Sequence, residues 1–388
     1  LTYRIQTFNN IAVAGLDRFA RSHYEVSSEC SAPDAILLRS HNLHEHTFDH
    51  NLKAVGRAGA GTNNIPVERL SEMGVPVFNA PGANANAVKE LVIASIMMAE
   101  RNIHHALNYT KALTGAGEAL DREVENGKKR FVGRELPGRT LGVVGLGAIG
   151  VEVANAARAL GMKVIGYDPS ITVASAWRLQ AEVEKASSVD DLLTRSEFVT
   201  FHVPLIDATR HMINEQRLLA MRDGAVIVNL SRGGVVDEGA IIKGLDAGKI
   251  KHYITDFPTA ATIAHERVIT LPHLGASTTE AEENCAIMVA DQIRAFLEHG
   301  HIGNSVNFPA VELHRKSDFR LTVSHFNVPN MLGQISQTLG QSSVNIQHLI
   351  NESRDSVAYT VIDTECAVAA ATVEQIAAID GVLKIRQL

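Results

Sequence analysis

Leu141-Gly-Val-Val-Gly145-Leu-Gly147-Ala-Ile-Gly150, running on through Val151–Leu160 to Gly166-Tyr-Asp168, decides how this chain is read. An apolar run enters a glycine-rich turn, a helical stretch follows, and a second apolar run from Lys163 to Gly166 ends near an acid. The pattern predicts strand, tight turn, helix and strand. Gly145 permits the turn, Gly147 lets backbone approach a pyrophosphate, and Gly150 allows close packing of helix on strand. Unpaired N–H groups at the helix start suit phosphate charge. A carboxylate at Asp168 would accept ribose hydroxyls and repel a 2′-phosphate, which points to NAD as cofactor.

Working outward, βα alternation continues to about His273, with strand-like runs at 198–202, 225–230, 253–255 and 268–271. Such alternation predicts a doubly wound, Rossmann-like parallel sheet with its ligand at the carboxyl ends of the strands. The loops there are Asp168, His202-Val203-Pro204, Asn229-Leu230-Ser231-Arg232 and Pro272-His273-Leu274-Gly275. Upstream, apolar runs at 5–8, 35–38, 54–58 and 75–78 predict a second, smaller α/β unit, with a hinge at Asn79-Ala80-Pro81-Gly82. One buried helix is expected from Ala87 to Leu107, with His104-His105 near its end. After a helix over 278–299 and a linker over 300–309, the order becomes β-α-β-β-α-β, a ferredoxin-like arrangement. The expected domains are a discontinuous, flavodoxin-like substrate domain (1–79 plus 275–310), a cofactor domain (80–274) and a C-terminal domain (317–388).

Composition narrows the function class. The 388 residues are 45% hydrophobic and carry a formal charge of −7, so nothing in the charge favours nucleic acid. No apolar run reaches membrane-spanning length. Cys30, Cys285 and Cys366 are too few and too scattered for a disulfide framework or a zinc site, and a reducing cytoplasm is expected. His41, His44, His46 and His50 stand among Asn42 and Glu45, the composition of a solvated helix start, and no metal is expected.

Hydride transfer from a secondary alcohol needs a base for the hydroxyl proton and a cation that grips the substrate and polarises the forming carbonyl. His273 suits the first role, since imidazole titrates near neutrality. Arg232 suits the second, because a guanidinium binds a carboxylate bidentately.

With these residues in view, Gly145–Gly150, His202-Val-Pro204, Asn229–Asp237 and Pro272–Thr278 resemble the signatures of the D-isomer-specific 2-hydroxyacid dehydrogenases. Leu38-Arg39-Ser40, Gly59-Ala-Gly-Thr-Asn-Asn64, Val77-Phe-Asn79-Ala-Pro81 and the tail resemble the branch that oxidises D-3-phosphoglycerate at the start of serine synthesis. The resemblance implies that Arg232 holds the substrate carboxylate while His273 takes the hydroxyl proton. It assigns Ala148, Ile149, Asp168 and the loops at His202–Pro204, Leu230–Arg232, Asp256 and His273–Ala276 to NAD, and Arg39, Ser40, Gly59 and Asn79 to substrate. It implies an ACT domain at the C-terminus, with His325, Asn327 and Asn345 holding a serine effector, and a homodimer or homotetramer.

One departure stands out. The family usually carries Asp-Val-Phe-x-x-Glu-Pro before the catalytic histidine, its Glu pairing with the imidazole. Here the stretch is Thr255-Asp256-Phe257-Pro258-Thr259-Ala260-Ala261, so Ala260 stands in the Glu position. Asp256, Glu266 and Glu280 are the candidate substitutes. Two other functions remain in view: reduction of hydroxypyruvate, glyoxylate or a similar 2-oxo acid, and NAD sensing without turnover.

Overall fold

The computed structural model describes residues 2–388, and the chain divides into two compact units: residues up to 83 together with 282–388, and residues 84–281. In the first unit, β1 (Tyr3–Thr7), β2 (Tyr24–Ser27), β3 (Ala35–Leu38), β4 (Ala54–Arg57) and β5 (Val77–Phe78) form a parallel sheet in the order β2-β1-β3-β4-β5. This is the flavodoxin-like order. β2 has no counterpart among the sequence-predicted strands. Its Tyr-Glu-Val-Ser composition mixes polar and apolar residues, as an edge strand tolerates.

The second unit holds seven parallel strands: β6 (Thr140–Val144), β7 (Lys163–Tyr167), β8 (Glu184–Lys185), β9 (Phe198–Phe201), β10 (Ala225–Asn229), β11 (Ile250–Thr255) and β12 (Val268–Thr270). Their order, β12-β11-β10-β9-β6-β7-β8, is the Rossmann order with one strand added. β9 and β10 are buried along their whole length, which is why they read as continuous apolar runs. The order reverses between β6 and β9, so a crevice opens at the carboxyl ends of those strands.

The long helix expected at 87–107 is two helices, Ala85–Glu100 and Ile103–Lys111. Asn102 breaks it in the left-handed conformation, φ +50°, which Asn adopts more readily than most residues. The Glu100 carbonyl accepts instead from the Arg134 N–H at 3.1 Å. Its fully buried carboxylate takes a bidentate grip from Arg134 (2.8 and 2.9 Å) and a third bond from Lys251 (3.1 Å). His104 and His105 therefore begin a helix rather than end one. Burial, and then the charge of His105, hold the His104 imidazole below its ordinary value.

The C-terminal strands β13 (Phe319–Phe326), β14 (Ile346–Arg354), β15 (Val357–Thr364) and β16 (Val382–Gln387) form an antiparallel sheet ordered β14-β15-β13-β16, with helices Met331–Gln341 and Ala370–Ala377. One face, including Leu321, Val323 and Ile362, packs on those helices. The other face joins the core of the first sheet: Val357, Tyr359 and Val361 pack with Phe296, Ile302 and Phe308. Charges are half-buried there too. Arg386 lies 4.5 Å over the Phe296 ring and donates to the Phe296 and Leu297 carbonyls at 3.1 and 2.8 Å. Those carbonyls belong to the last turn of helix Thr279–His299, where a cation complements the helix dipole. Lys384 donates to the His50 and Leu52 carbonyls, and burial pushes its ammonium down to about 8. Among the described residues no helix is long and apolar enough to cross a membrane.

Candidate active site

The glycine turn after β6 has the shape that dinucleotide binding needs. Gly145 sits at φ +89°, and a Cβ there would meet the His202 carbonyl oxygen at 2.5 Å. A Cβ on Gly150 would lie 1.9 Å from the Gly145 oxygen, so only glycine lets the helix Ala148–Ala159 start so close to the strand. Gly147, by contrast, faces open space and carries no side-chain cap, leaving helix-start N–H groups available to an anion. Asp168, just past β7, is drawn up against the turn. Its Oδ2 accepts from the Leu146 N–H and its Oδ1 from the Ser170 N–H, both at 2.8 Å. These residues fit NAD: a cradle for the pyrophosphate and a carboxylate with lone pairs left for ribose hydroxyls.

His202, Val203 and Pro204 follow β9. The His202 Nε2 lies 3.1 Å from Thr200 Oγ1, and burial pushes the imidazole down to about 3, which keeps it neutral. After β10, the fully buried Asn229 braces the next loop: its Nδ2 donates to the Arg232 carbonyl at 2.9 Å and its Oδ1 accepts from Ser231 Oγ at 2.9 Å. Leu230 is buried, while the Arg232 side chain is exposed and donates to the Ser231 carbonyl at 2.6 Å. Asn229 had no role of its own in the sequence, where the signal was an amide closing the apolar run of β10.

Asp256 and His273 come from adjacent strands, β11 and β12, and their loops are tied. The His273 N–H donates to the Asp256 carbonyl oxygen at 3.2 Å. The Gly275 N–H donates to Asp256 Oδ2 at 3.3 Å, and the Phe257 ring meets the His273 ring edge-on at 5.0 Å. His273 sits at φ +54° with an exposed ring. Asp256 is 1% exposed, and its Oδ1 has no hydrogen-bond partner. Burial pushes its carboxyl up, opposed first by the charge of His273 and then by bonding to Gly275. Ala276 lies half-buried beside Gly275.

The substrate candidates Arg39, Ser40, Gly59 and Asn79 collect at the carboxyl ends of β3, β4 and β5. Arg39 forms a 2.8 Å ion pair with Glu282, and its carbonyl accepts from Arg57 Nε at 3.1 Å. A Cβ on Gly59 would meet the Arg57 guanidinium, so two guanidinium-bearing residues and the glycine loop share one edge. Arg57 escaped the sequence reading, although a cation ending a buried strand two residues before Gly59 was visible there. Ser40 and His41 donate their N–H groups to Asn9 Oδ1 at 3.0 and 2.8 Å. Asn79 donates to the Ala60 carbonyl at 2.7 Å and accepts from Asn304. His41 stacks on Phe8 and His46 packs edge-on to it, so these histidines serve packing.

In the C-terminal sheet the three effector candidates do not meet within one chain. His325 is buried, its Nδ1 2.8 Å from the Phe326 oxygen and its Nε2 2.9 Å from Thr360 Oγ1. Exposed Asn327 follows β13 beside Ser356, while exposed Asn345 precedes β14 at the Thr364 end. Roughly seven strand residues, about 23 Å, separate those ends.

Comparison with known proteins agrees with this geometry. Residues 93–275 match the D-isomer specific 2-hydroxyacid dehydrogenase NAD-binding domain. A D-3-phosphoglycerate dehydrogenase of Methanocaldococcus jannaschii is 38% identical over 77% of this chain and 55% of its own length, so this chain spans little more than half of that relative. A hydroxypyruvate reductase of Thermotoga maritima is 37% identical over 63% of this chain and 77% of its own. The crystal structure of NAD+-bound 3-phosphoglycerate dehydrogenase from Entamoeba histolytica superposes with a TM-score of 0.62 at 25% identity, covering 79% of this chain and 99% of that one. With a Rossmann-ordered sheet, a glycine cradle for NAD and relatives of this identity, the chain belongs to the D-isomer-specific 2-hydroxyacid dehydrogenase family.

Proposed function

We propose that this protein is an NAD-dependent dehydrogenase that oxidises D-3-phosphoglycerate to 3-phosphohydroxypyruvate, the first step of serine synthesis. One observation carries the choice of substrate: Arg39 and Arg57 stand together beside the Gly59 loop, the donors a phosphate monoester requires. Arg232 grips the C1 carboxylate and polarises the C2 oxygen, while His273 accepts the C2 hydroxyl proton. Bound NAD supplies the acceptor for the hydride that leaves C2. The C2 oxygen keeps the electron pair of its broken O–H bond as the second bond of the carbonyl.

Feedback by an amino acid, serine first among them, belongs to the same proposal, with the C-terminal sheet as an ACT-like sensor. Asn327 and Asn345 lie at opposite ends of one sheet, so a ligand held by both draws them from two copies of the chain. That favours a homodimer or homotetramer. Three free cysteines suit a reducing, cytoplasmic setting.

A second reading, reduction of a small unphosphorylated 2-oxo acid, is favoured by the Glu282 carboxylate that already occupies Arg39. Initial rates with D-3-phosphoglycerate and D-glycerate separate the two. The proposal expects kcat/KM for the phosphorylated acid to be roughly 10²-fold higher or more, and Arg39→Ala to collapse the difference. Equal values for the two acids would support the second reading.

A further inference from the structure

The base proposed above lacks the carboxylate that the family usually sets beside it. Ala260 opens the short helix Ala260–Ala264 and offers no acceptor. Glu266 is exposed and precedes β12, on the amino edge of a parallel sheet whose carboxyl edge carries His273. Glu280 is exposed near the start of helix Thr279–His299. Among the described residues, no carboxylate is hydrogen-bonded to the His273 ring.

Asp256 differs from all three. It is the buried acid of the two tied loops, with its main-chain oxygen already bonded to His273 and its Oδ2 held by Gly275. Its Oδ1 is left buried without a donor, an arrangement that costs free energy unless a partner arrives during function. The charged groups facing it are the imidazole of His273 and, more weakly, the guanidinium of Arg232. When His273 takes up the hydroxyl proton it becomes a cation with a new N–H. The unfilled lone pair of Asp256, in the loop tied to that of His273, is the counter-charge that such a cation needs.

We propose that Asp256 is the positioning carboxylate of His273 in this chain, its open Oδ1 receiving the imidazolium and replacing the glutamate that Ala260 has displaced. The inference rests on the reading of His273 as the base. It does not depend on which 2-hydroxy acid is the substrate. The same Oδ1 could instead receive the nicotinamide carboxamide, and the test separates the two roles.

Asp256→Asn keeps the volume and the acceptor for Gly275 but removes the charge. Two measurements on the full-length protein decide. The NMR titration of the His273 ring, followed without substrate, is expected to move to lower pH by about one unit in the variant, a tenfold change in proton affinity. The acid limb of kcat/KM against pH should move with it, with KM for NAD within about twofold of native. An unmoved titration, with or without a raised KM for NAD, would overturn the proposal and leave Asp256 to the cofactor. The titration requires no turnover, so a protein that oxidises no 2-hydroxy acid would defeat the proposed function while this pairing is still decided. Should the Asn variant fail to accumulate, Asp256→Ser removes the same charge with a smaller side chain and is judged by the same shift.

Discussion

Two buried aspartates, Asp363 in the C-terminal sheet and Asp256 at the end of β11, show how differently one side chain is used in this molecule. Asp363 is 0% exposed and saturated: Arg320 donates to its two oxygens at 2.6 and 3.0 Å, and the Lys316 N–H adds a third bond at 3.0 Å. Arg320 is buried as completely and spends its remaining N–H groups on the His299 and Leu313 carbonyls and the His301 ring. Burial would raise the Asp363 carboxyl, but Arg320 and the Lys316 N–H together hold it below its ordinary value. Asp256 is equally hidden, accepts one side-chain bond at 3.3 Å and is pushed up. The saturated acid holds the sheet to the segment that leads into it, and the unsaturated one is kept in readiness beside a histidine.

The largest effect should come from breaking the saturated pair. Asp363→Ala strands a buried guanidinium and is expected to cost about 3–5 kcal/mol of stability, read by denaturant unfolding. Replacing both partners by apolar residues, Arg320→Met with Asp363→Leu, should cost far less. A single-variant loss near that of a surface substitution would erase the contrast.

A smaller effect of opposite sign should follow at the other aspartate. Asp256 has a raised folded value, so its ionised form is disfavoured in the fold. Its contribution to stability falls as pH climbs from the unfolded carboxylate value, about 3.9, through the raised folded one. Asp363 has a lowered folded value. Its contribution is complete above about 3.9 and is lost as pH falls through the folded value beneath that. Asp256→Asn should therefore gain about 1 kcal/mol at neutral pH and flatten the first dependence, even as it harms catalysis. Unfolding curves at several pH values check both signs, and a destabilised Asp256→Asn would break the comparison.

The inner strands of the cofactor sheet were legible because they are buried on both faces, so the sequence stops being apolar where the chemistry starts: Val144 before Gly145, Phe201 before His202. The exposed Glu184-Lys185 pair of β8 offers no such run. The C-terminal order was legible from the same apolar runs. Its seating on the first sheet was not. Nothing in the sequence marks Arg320, Lys384 and Arg386 as held charges until three dimensions supply the carbonyls and the carboxylate that bind them. The break at Asn102 hid because one left-handed residue scarcely disturbs a run of apolar spacing. The open Oδ1 of Asp256 hid because an unfilled lone pair leaves no trace in a string of letters.

The roles of His273 and Arg232 are decided by NADH formation from D-3-phosphoglycerate and NAD by the native chain, His273→Ala and Arg232→Ala. The native protein should turn over, and kcat/KM should fall roughly 10²–10⁴-fold in each variant, with NAD binding retained. NAD binding without NADH formation by the native chain, or turnover unchanged in either variant, would contradict those roles.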